Sequence, residues 1–327
     1  MANINHILAY FPLTDAHKQT IKALLPKVTI NEVRWPNLTQ ADVDAADVVF
    51  GNVPADMLDA APNLKWVHLS SAGTDGYMHL LDRGVILTNA TGAYNDSIAE
   101  FMLAFTSALC IGMQGYVRNQ QEHVWKRLGW AKTILGSTVV VLGCGNIGTA
   151  YAQRMHALGA YVIGVRRNVA KCPEGVDEMV TMEQADEVLP RADIVAMIMP
   201  NTPETVNFMD ARRIGLMKDG ALLVNCGRGN AVDPDALYDA LVSGKLDGAA
   251  MDVAYAEPLP EDDKLWDAPN LLITPHVAGG WRPGGDSSPH MAQTVVQVFL
   301  KNLEAYAKGE PLPNAVDPVT GYTKKQG

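Results

Sequence analysis

The run "TVVVLGCGNIG", residues 138–148, limits what this chain can fold into more than any other stretch. An apolar segment of strand length meets Gly143, Gly145 and Gly148 in a GxGxxG spacing, and a helical pattern follows at 149–158. Each glycine has its own task in such a turn. Gly143 makes the tight bend, Gly145 lets the backbone approach a bound pyrophosphate, and Gly148 permits close helix–strand packing. The helix that begins near Asn146 and Ile147 aims its free N–H groups and the positive end of its dipole at phosphate. A lone GxGxxG is a weak signal. Strand before and helix after make a dinucleotide site the better reading than an unliganded turn.

The following strand, "AYVIGVRRN", ends on a pair of arginines. Sites for NAD usually end that strand in an acid that holds the adenosine ribose. Here Arg166 stands eighteen residues after Gly148, and no Asp or Glu lies between positions 155 and 170. An acid would repel a 2′-phosphate. Arg166 offers it donors and charge, with Arg167 and Asn168 close enough to share it. NADP(H) is therefore the expected cofactor, with NAD(H) as the lesser one. The plain alternative is that one arginine faces solvent, since adjacent strand residues point to opposite sides.

Strands and helices alternate along the whole chain. "HILAYF", "ADVVFGN", "LKWVHLSSAG" and "VILTNATG" read as strands, with "DAHKQTIKALLP" as an amphipathic helix. After a buried helix at 98–113, further strands follow at "ADIVAMIM", "GALLVNC", "LDGAAMDV" and "NLLITPHV". This alternation predicts an α/β protein with two doubly wound parallel sheets. The boundaries fall at 1–97 and 98–279. A closing helix over 288–310, capped by Ser288 with Pro289 in its first turn, returns to the first unit.

Length and composition agree with two globular domains: 327 residues, 48% apolar, 19% charged. The net charge of −10 gives no support to nucleic-acid binding. Cys110, Cys144, Cys172 and Cys226 never form a CxxC pair, so no metal site is expected. The N-terminus lacks a basic, apolar leader and no stretch reaches the roughly 20 residues of a membrane span, which makes the cytoplasm the expected compartment and excludes a membrane partner.

Several phrases in order, "SSAGTD", "GCGNIG", "MPNTPET", "MKDGALLVNCGRGNAVD", "GAAMDVAYAEPLP" and "LWDAPNLLITPHVAGG", resemble the D-isomer-specific 2-hydroxyacid dehydrogenase family over about residues 60–315. The resemblance implies a Rossmann-type cofactor domain inserted in a flavodoxin-like substrate domain (1–97 plus 280–327), and a homodimer. It implies an NAD(P)-dependent oxidoreductase acting on a 2-oxo or D-2-hydroxy acid. Arg228 of "CGRG" matches the substrate-orienting arginine, Glu257 of "AEP" the acidic partner, and His276 of "TPH" the catalytic histidine. Asp252 of "MDV" matches the residue near the nicotinamide carboxamide, and Pro200 and Cys226 are expected along the cofactor. Ser71, Ala72 and Gly73 match the loop whose N–H groups bind the substrate carboxylate.

Those residue types suit the chemistry. Reduction of a 2-oxo acid needs a hydride, a proton for the nascent alkoxide, and positive charge to orient the substrate. A histidine, with an ordinary pKa of about 6.5, can supply the proton. A guanidinium forks onto a carboxylate and a carbonyl oxygen. Singly, each residue has a plain structural reading, and Glu257 before Pro258 is as easily a solvated loop acid. Together they follow predicted strand ends of one sheet, where doubly wound folds place ligands. His68, His79, His123, His156 and His290 lack such company and read as structural. "WKRLGW" reads as a core or dimer contact in preference to a wall of the substrate cleft, and Tyr94, Trp130 and Trp281 as candidates for the substrate pocket. Two other readings stay open: a phosphite- or formate-type dehydrogenase, and a non-catalytic nicotinamide-sensing protein similar to the C-terminal-binding co-repressors.

Overall fold

A computed structural model describes residues 3–129, 131–169, 171–280, 289–318, 321 and 323. The chain divides into two compact units, Met1–Tyr94 with Gly284–Gly327, and Asn95–Pro283.

The first unit carries β1 His6–Ala9, β2 Thr29–Glu32, β3 Val48–Phe50, β4 Trp66–His68 and β5 Ile86–Thr88. All pair in parallel, in the order β2-β1-β3-β4-β5, which is the flavodoxin order. β3 and β4 are buried along their whole length, as short strands covered on both faces should be, with His68 the one polar residue among them. β2 was not expected. Its "TINE" holds one apolar residue and lies at the sheet edge, so apolar periodicity could not reveal it. The helix Asp15–Leu24 starts on a capping box at Thr14.

The helix Pro289–Lys308 covers the same sheet. Phe299 stacks on Phe50 with ring centroids 4.2 Å apart and touches Trp66 and His68. The expected cap, Ser288, lies outside the described residues. His68 is fully buried in this aromatic cluster. Its Nδ1 lies 2.6 Å from Thr88 Oγ1, which also accepts from Trp66 Nε1 at 2.8 Å, and its Nε2 has no partner among the described residues.

The second unit contains β6 Thr138–Leu142, β7 Tyr161–Val165, β8 Glu178–Val180, β9 Ile194–Met197, β10 Ala221–Asn225, β11 Leu246–Met251 and β12 Leu271–Ile273. Their order is β12-β11-β10-β9-β6-β7-β8, again with every pair parallel. The chain winds outward from β6 to β8, then crosses back to β9. The reversal between β6 and β9 is the switch point where such sheets bind ligands, and β6 feeds the glycine turn there. Val139 and Val141 belong to one core, Val140 and Leu142 to the other, so both faces are packed. The edge strand β8 was also missed by the periodicity.

The helix expected at 98–113 runs instead over Asn95–Cys110 and is followed by a second helix, Met113–Gln121. Gly112, with φ of 64°, separates them in the left-handed conformation that ends helices. Among the described residues no single helix is long and apolar enough to cross a membrane, and no His/Cys/Asp/Glu group could hold a metal ion.

His68 should give the fold a pH dependence. Burial lowers its pKa from 6.5 to about 3. Folding therefore excludes a proton that the unfolded chain takes up below pH 6.5. The contribution is complete above that pH and shrinks as pH falls toward 3, by up to about 1.4 kcal/mol per unit. Urea unfolding between pH 6.5 and 4 should show a shallower loss of stability in His68→Gln than in wild type; equal slopes would refute this.

Candidate active site

The glycine turn has the geometry that its sequence demands. Gly143 sits at φ +92°, and a Cβ there would lie 2.5 Å from Ile198 O. A Cβ on Gly148 would lie 2.5 Å from Gly143 O, so only glycine lets the helix Asn146–Ala157 start this close to β6. Gly145 differs. Its nearest neighbour would be 4.0 Å away, which leaves open space over the turn. Gly145 caps the helix without any side-chain hydrogen bond, so the first-turn N–H groups remain available for phosphate. Ile147 packs against the core beneath. These residues fit a dinucleotide.

β7 ends at Val165, and Arg166 follows with its N–H on Val180 O at 3.2 Å. The Arg166 guanidinium bends back, Nη2 donating to Lys171 O, while its buried Nε has no partner among the described residues. Arg167 and Asn168 are exposed. Sequence reasoning searched for an acid only on this strand. In the loop after β9, the Thr202 hydroxyl first, then the backbone N–H of Glu204 itself, and last the charge of Arg167 hold the Glu204 carboxyl below the usual range. Pro200, at the start of that loop, is half-buried.

β10 delivers the arginine. Asn225, fully buried at its end, accepts from Gly227 N through Oδ1 and donates to Arg228 O through Nδ2, both at 2.9 Å. A Cβ on Gly227 would lie 2.7 Å from Met199 backbone atoms, and one on Gly229 only 2.0 Å from Ala254. Arg228 is thus held between two close backbone approaches, with Nη1 donating to Gly227 O at 2.9 Å. Sequence reasoning missed Asn225, whose only signal was a polar residue closing an apolar strand. The neighbouring Cys226 is buried, which pushes its thiol pKa up.

β11 and β12 bring the acid and the histidine together. His276 Nδ1 lies 2.8 Å from Glu257 Oε2, and Glu257 Oε1 accepts from Ala254 N at 3.1 Å. Against a carboxylate, Nδ1 carries the proton and donates. Asp252 is 1% exposed and ties the histidine turn to β11. Its Oδ1 accepts from Thr274 Oγ1 at 2.5 Å and Val277 N at 2.9 Å, its Oδ2 from Ala278 N at 2.9 Å, and its O from His276 N at 2.7 Å. The turn holds His276 at φ +55°, a conformation that a non-glycine residue adopts only under local constraint.

Arg228, Asp252, Glu257 and His276 therefore leave one parallel sheet at its carboxyl edge, the edge that also carries the glycine turn. In the first unit, Ser71, Ala72 and Gly73 form the loop after β4, and Tyr94 Oη donates to Ser70 O in that loop. Trp125 is 104% exposed, which excludes the core contact expected of "WKRLGW" for that residue. Trp130 and Trp281 lie outside the described residues.

Comparison with known proteins gives a consistent result. The family model described as D-isomer specific 2-hydroxyacid dehydrogenase, NAD binding domain, matches residues 103–278. The D-3-phosphoglycerate dehydrogenase of Mycobacterium tuberculosis is 32% identical over 320 residues; the match takes in 94% of this chain but 58% of that relative. The glyoxylate reductase of Korarchaeum cryptofilum is 32% identical over 276 residues, 81% of this chain and 80% of its own. A solved D-isomer specific 2-hydroxyacid dehydrogenase from Xanthobacter autotrophicus Py2, in complex with NADPH and MES, is similar at a TM-score of 0.80 and 28% identity, covering 98% of this chain and 100% of that one.

The role of Asp252 as an anchor can be tested without any ligand. Asp252→Asn removes the charge and turns one acceptor into a donor facing N–H groups. Hydrogen exchange at Val277 and Ala278 should accelerate about 10- to 100-fold, the value of a hydrogen bond to a charged group. Unchanged exchange would mean that the turn stands without Asp252.

Proposed function

This chain belongs to the D-isomer-specific 2-hydroxyacid dehydrogenase family, and on that footing we propose that it is an NADP(H)-preferring oxidoreductase that interconverts 2-oxo acids and D-2-hydroxy acids. The observation that carries this reading is the 2.8 Å contact between His276 Nδ1 and Glu257 Oε2, on the sheet edge that also bears Arg228 and the glycine turn.

Each residue has a definite task. Glu257 holds the imidazole by Nδ1, which leaves Nε2 to give a proton to the substrate's carbonyl oxygen as it becomes an alkoxide. Arg228, steadied by Asn225 and its flanking glycines, presents a fork to the substrate carboxylate and carbonyl. In the first unit, the N–H groups of Ala72 and Gly73 offer donors of their own to a carboxylate. The nicotinamide, when bound, supplies or accepts the hydride. Asp252 keeps His276 in register from below, and in this reading its neighbourhood also borders the nicotinamide carboxamide.

Arg166 supports the choice of NADP(H). Its Nε is buried and without a partner among the described residues, the strand offers no acid to the ribose, and a related solved enzyme holds NADPH.

Two measurements check the proposal. His276→Ala should lower kcat by a factor of about 10² to 10⁴ on a 2-oxo acid, the usual share of acid–base catalysis, with NADPH affinity nearly unchanged. Near-wild-type turnover would remove His276 from the chemistry. A wild type that binds NADPH yet reduces none of a panel of 2-oxo acids would instead point to a nicotinamide-sensing protein. Compared by kcat/KM, wild type should favour NADPH over NADH, and Arg166→Asp should shift that preference toward NADH by about 10- to 100-fold, the value of one to two charge-assisted bonds. A wild-type preference for NADH would defeat the cofactor assignment.

A further inference from the structure

The loop after β4 divides its peptide groups unevenly. All four carbonyls of residues 70–73 are taken. Tyr94 Oη donates to Ser70 O, Ala90 N to Ser71 O at 2.9 Å, Asn89 Nδ2 to Ala72 O at 2.7 Å, and Ser71 Oγ to Gly73 O at 2.7 Å. The N–H groups fall into two pairs. Those of Ser70 and Ser71 converge on Asn52 Oδ1 at 2.9 and 3.2 Å, where the Ser70 hydroxyl joins them at 2.9 Å. Those of Ala72 and Gly73 find no acceptor among the described residues, although both residues are half-buried. Consecutive backbone donors left open in this way make an anion-binding concavity.

Asn52 is the side chain through which this division runs. Its Oδ1 occupies the first two N–H groups, and its Nδ2 donates to Ser71 Oγ at 2.9 Å, which turns that hydroxyl's own proton toward Gly73 O. One amide thus orients both ends of the loop. Gly51, at φ +122° and with its N–H on His68 O at 2.9 Å, is the bend after β3 that brings Asn52 to this place. Tyr94 is a second tether. Burial pushes its phenol pKa up to about 12, so it remains a donor at working pH.

We infer that Asn52 is the positioning residue of a substrate-carboxylate site formed by the N–H groups of Ala72 and Gly73, and that the site accepts an anion because this side chain is an uncharged amide. The inference rests on the 2-oxo acid reading above. An aspartate would keep acceptors for Ser70 and Ser71 but lose the Nδ2 donor, and it would set a negative charge beside the open pair. The amide is required for both reasons.

The test compares full-length wild type, Asn52→Asp and Asn52→Ala, with glyoxylate as substrate and oxamate as a non-reducible carboxylate probe. Asn52→Asp should raise KM for glyoxylate and Ki for oxamate about 10- to 100-fold, the value of one to two charge-assisted bonds, with Asn52→Ala rising less. The kcat should stay within about threefold, as expected when binding common to ground and transition state is lost. NADPH affinity and Tm should remain near wild type in Asn52→Asp. Unchanged KM and Ki in Asn52→Asp, with an active wild type, would overturn the inference and leave the proposed function standing. A fall in Tm and active fraction without a KM shift would overturn it too, because that is a structural role alone. A wild type that binds NADPH but neither binds oxamate nor reduces glyoxylate or a bulkier 2-oxo acid would overturn the functional reading and the inference with it.

Discussion

The carboxylate of Asp252 is buried at the end of β11, and three donors from the turn after β12 converge on it. A buried ion without partners is costly, so the turn closes on Asp252 in one register. That register sets where the His276 ring emerges, and the ring in turn meets Glu257 from the loop after β11. Without this anchor, a histidine at positive φ, half-exposed on a short turn, would sample several orientations. The contact between His276 and Glu257 therefore depends on the hydrogen bonds that Asp252 accepts.

The same logic recurs in each of the two units with different chemistry. Asn225 uses a neutral amide to hold Gly227 N and Arg228 O, and Asn52 uses one to sort the donors of the loop after β4. Amides suit this work because one side chain both donates and accepts. They do so without adding charge where an anionic ligand is expected. Close backbone approach does the rest. At Gly229 a single added carbon would sit 2.0 Å from Ala254, so the loops after β10 and β11 touch main chain to main chain. Arg228 is consequently carried on backbone whose position leaves little slack.

Edge and centre of the sheets were unequally legible in the sequence. The central strands β3, β4, β6, β9 and β10 are apolar runs covered on both faces, and their burial follows from composition alone. The edge strands β2 and β8 were invisible because a strand half open to water needs no apolar pattern. The long helix read over 98–113 was placed three residues late and run past Gly112 (φ 64°), because apolar content continues through the break while backbone conformation does not. Trp125 is fully exposed, which removes the core half of the core-or-dimer expectation for its segment.

What the sequence determined by itself is chemical identity at fixed spacing: the glycine turn after an apolar strand, the arginine pair at 166–167, and Arg228, Glu257 and His276 each just past a strand end. Those features are local, and local sterics and periodicity suffice to place them on a parallel sheet. What only the tertiary structure decided is which groups meet. Asp252 proves to hold the histidine turn, Asn225 to hold Arg228, and Asn52 to order a loop eighteen residues away along the chain. Hydrogen bonds and charge pairs act over about 3 to 6 Å in space and carry no mark in the linear order. Parallel pairing and helix crossovers bring these partners together, and a single sequence does not show them side by side.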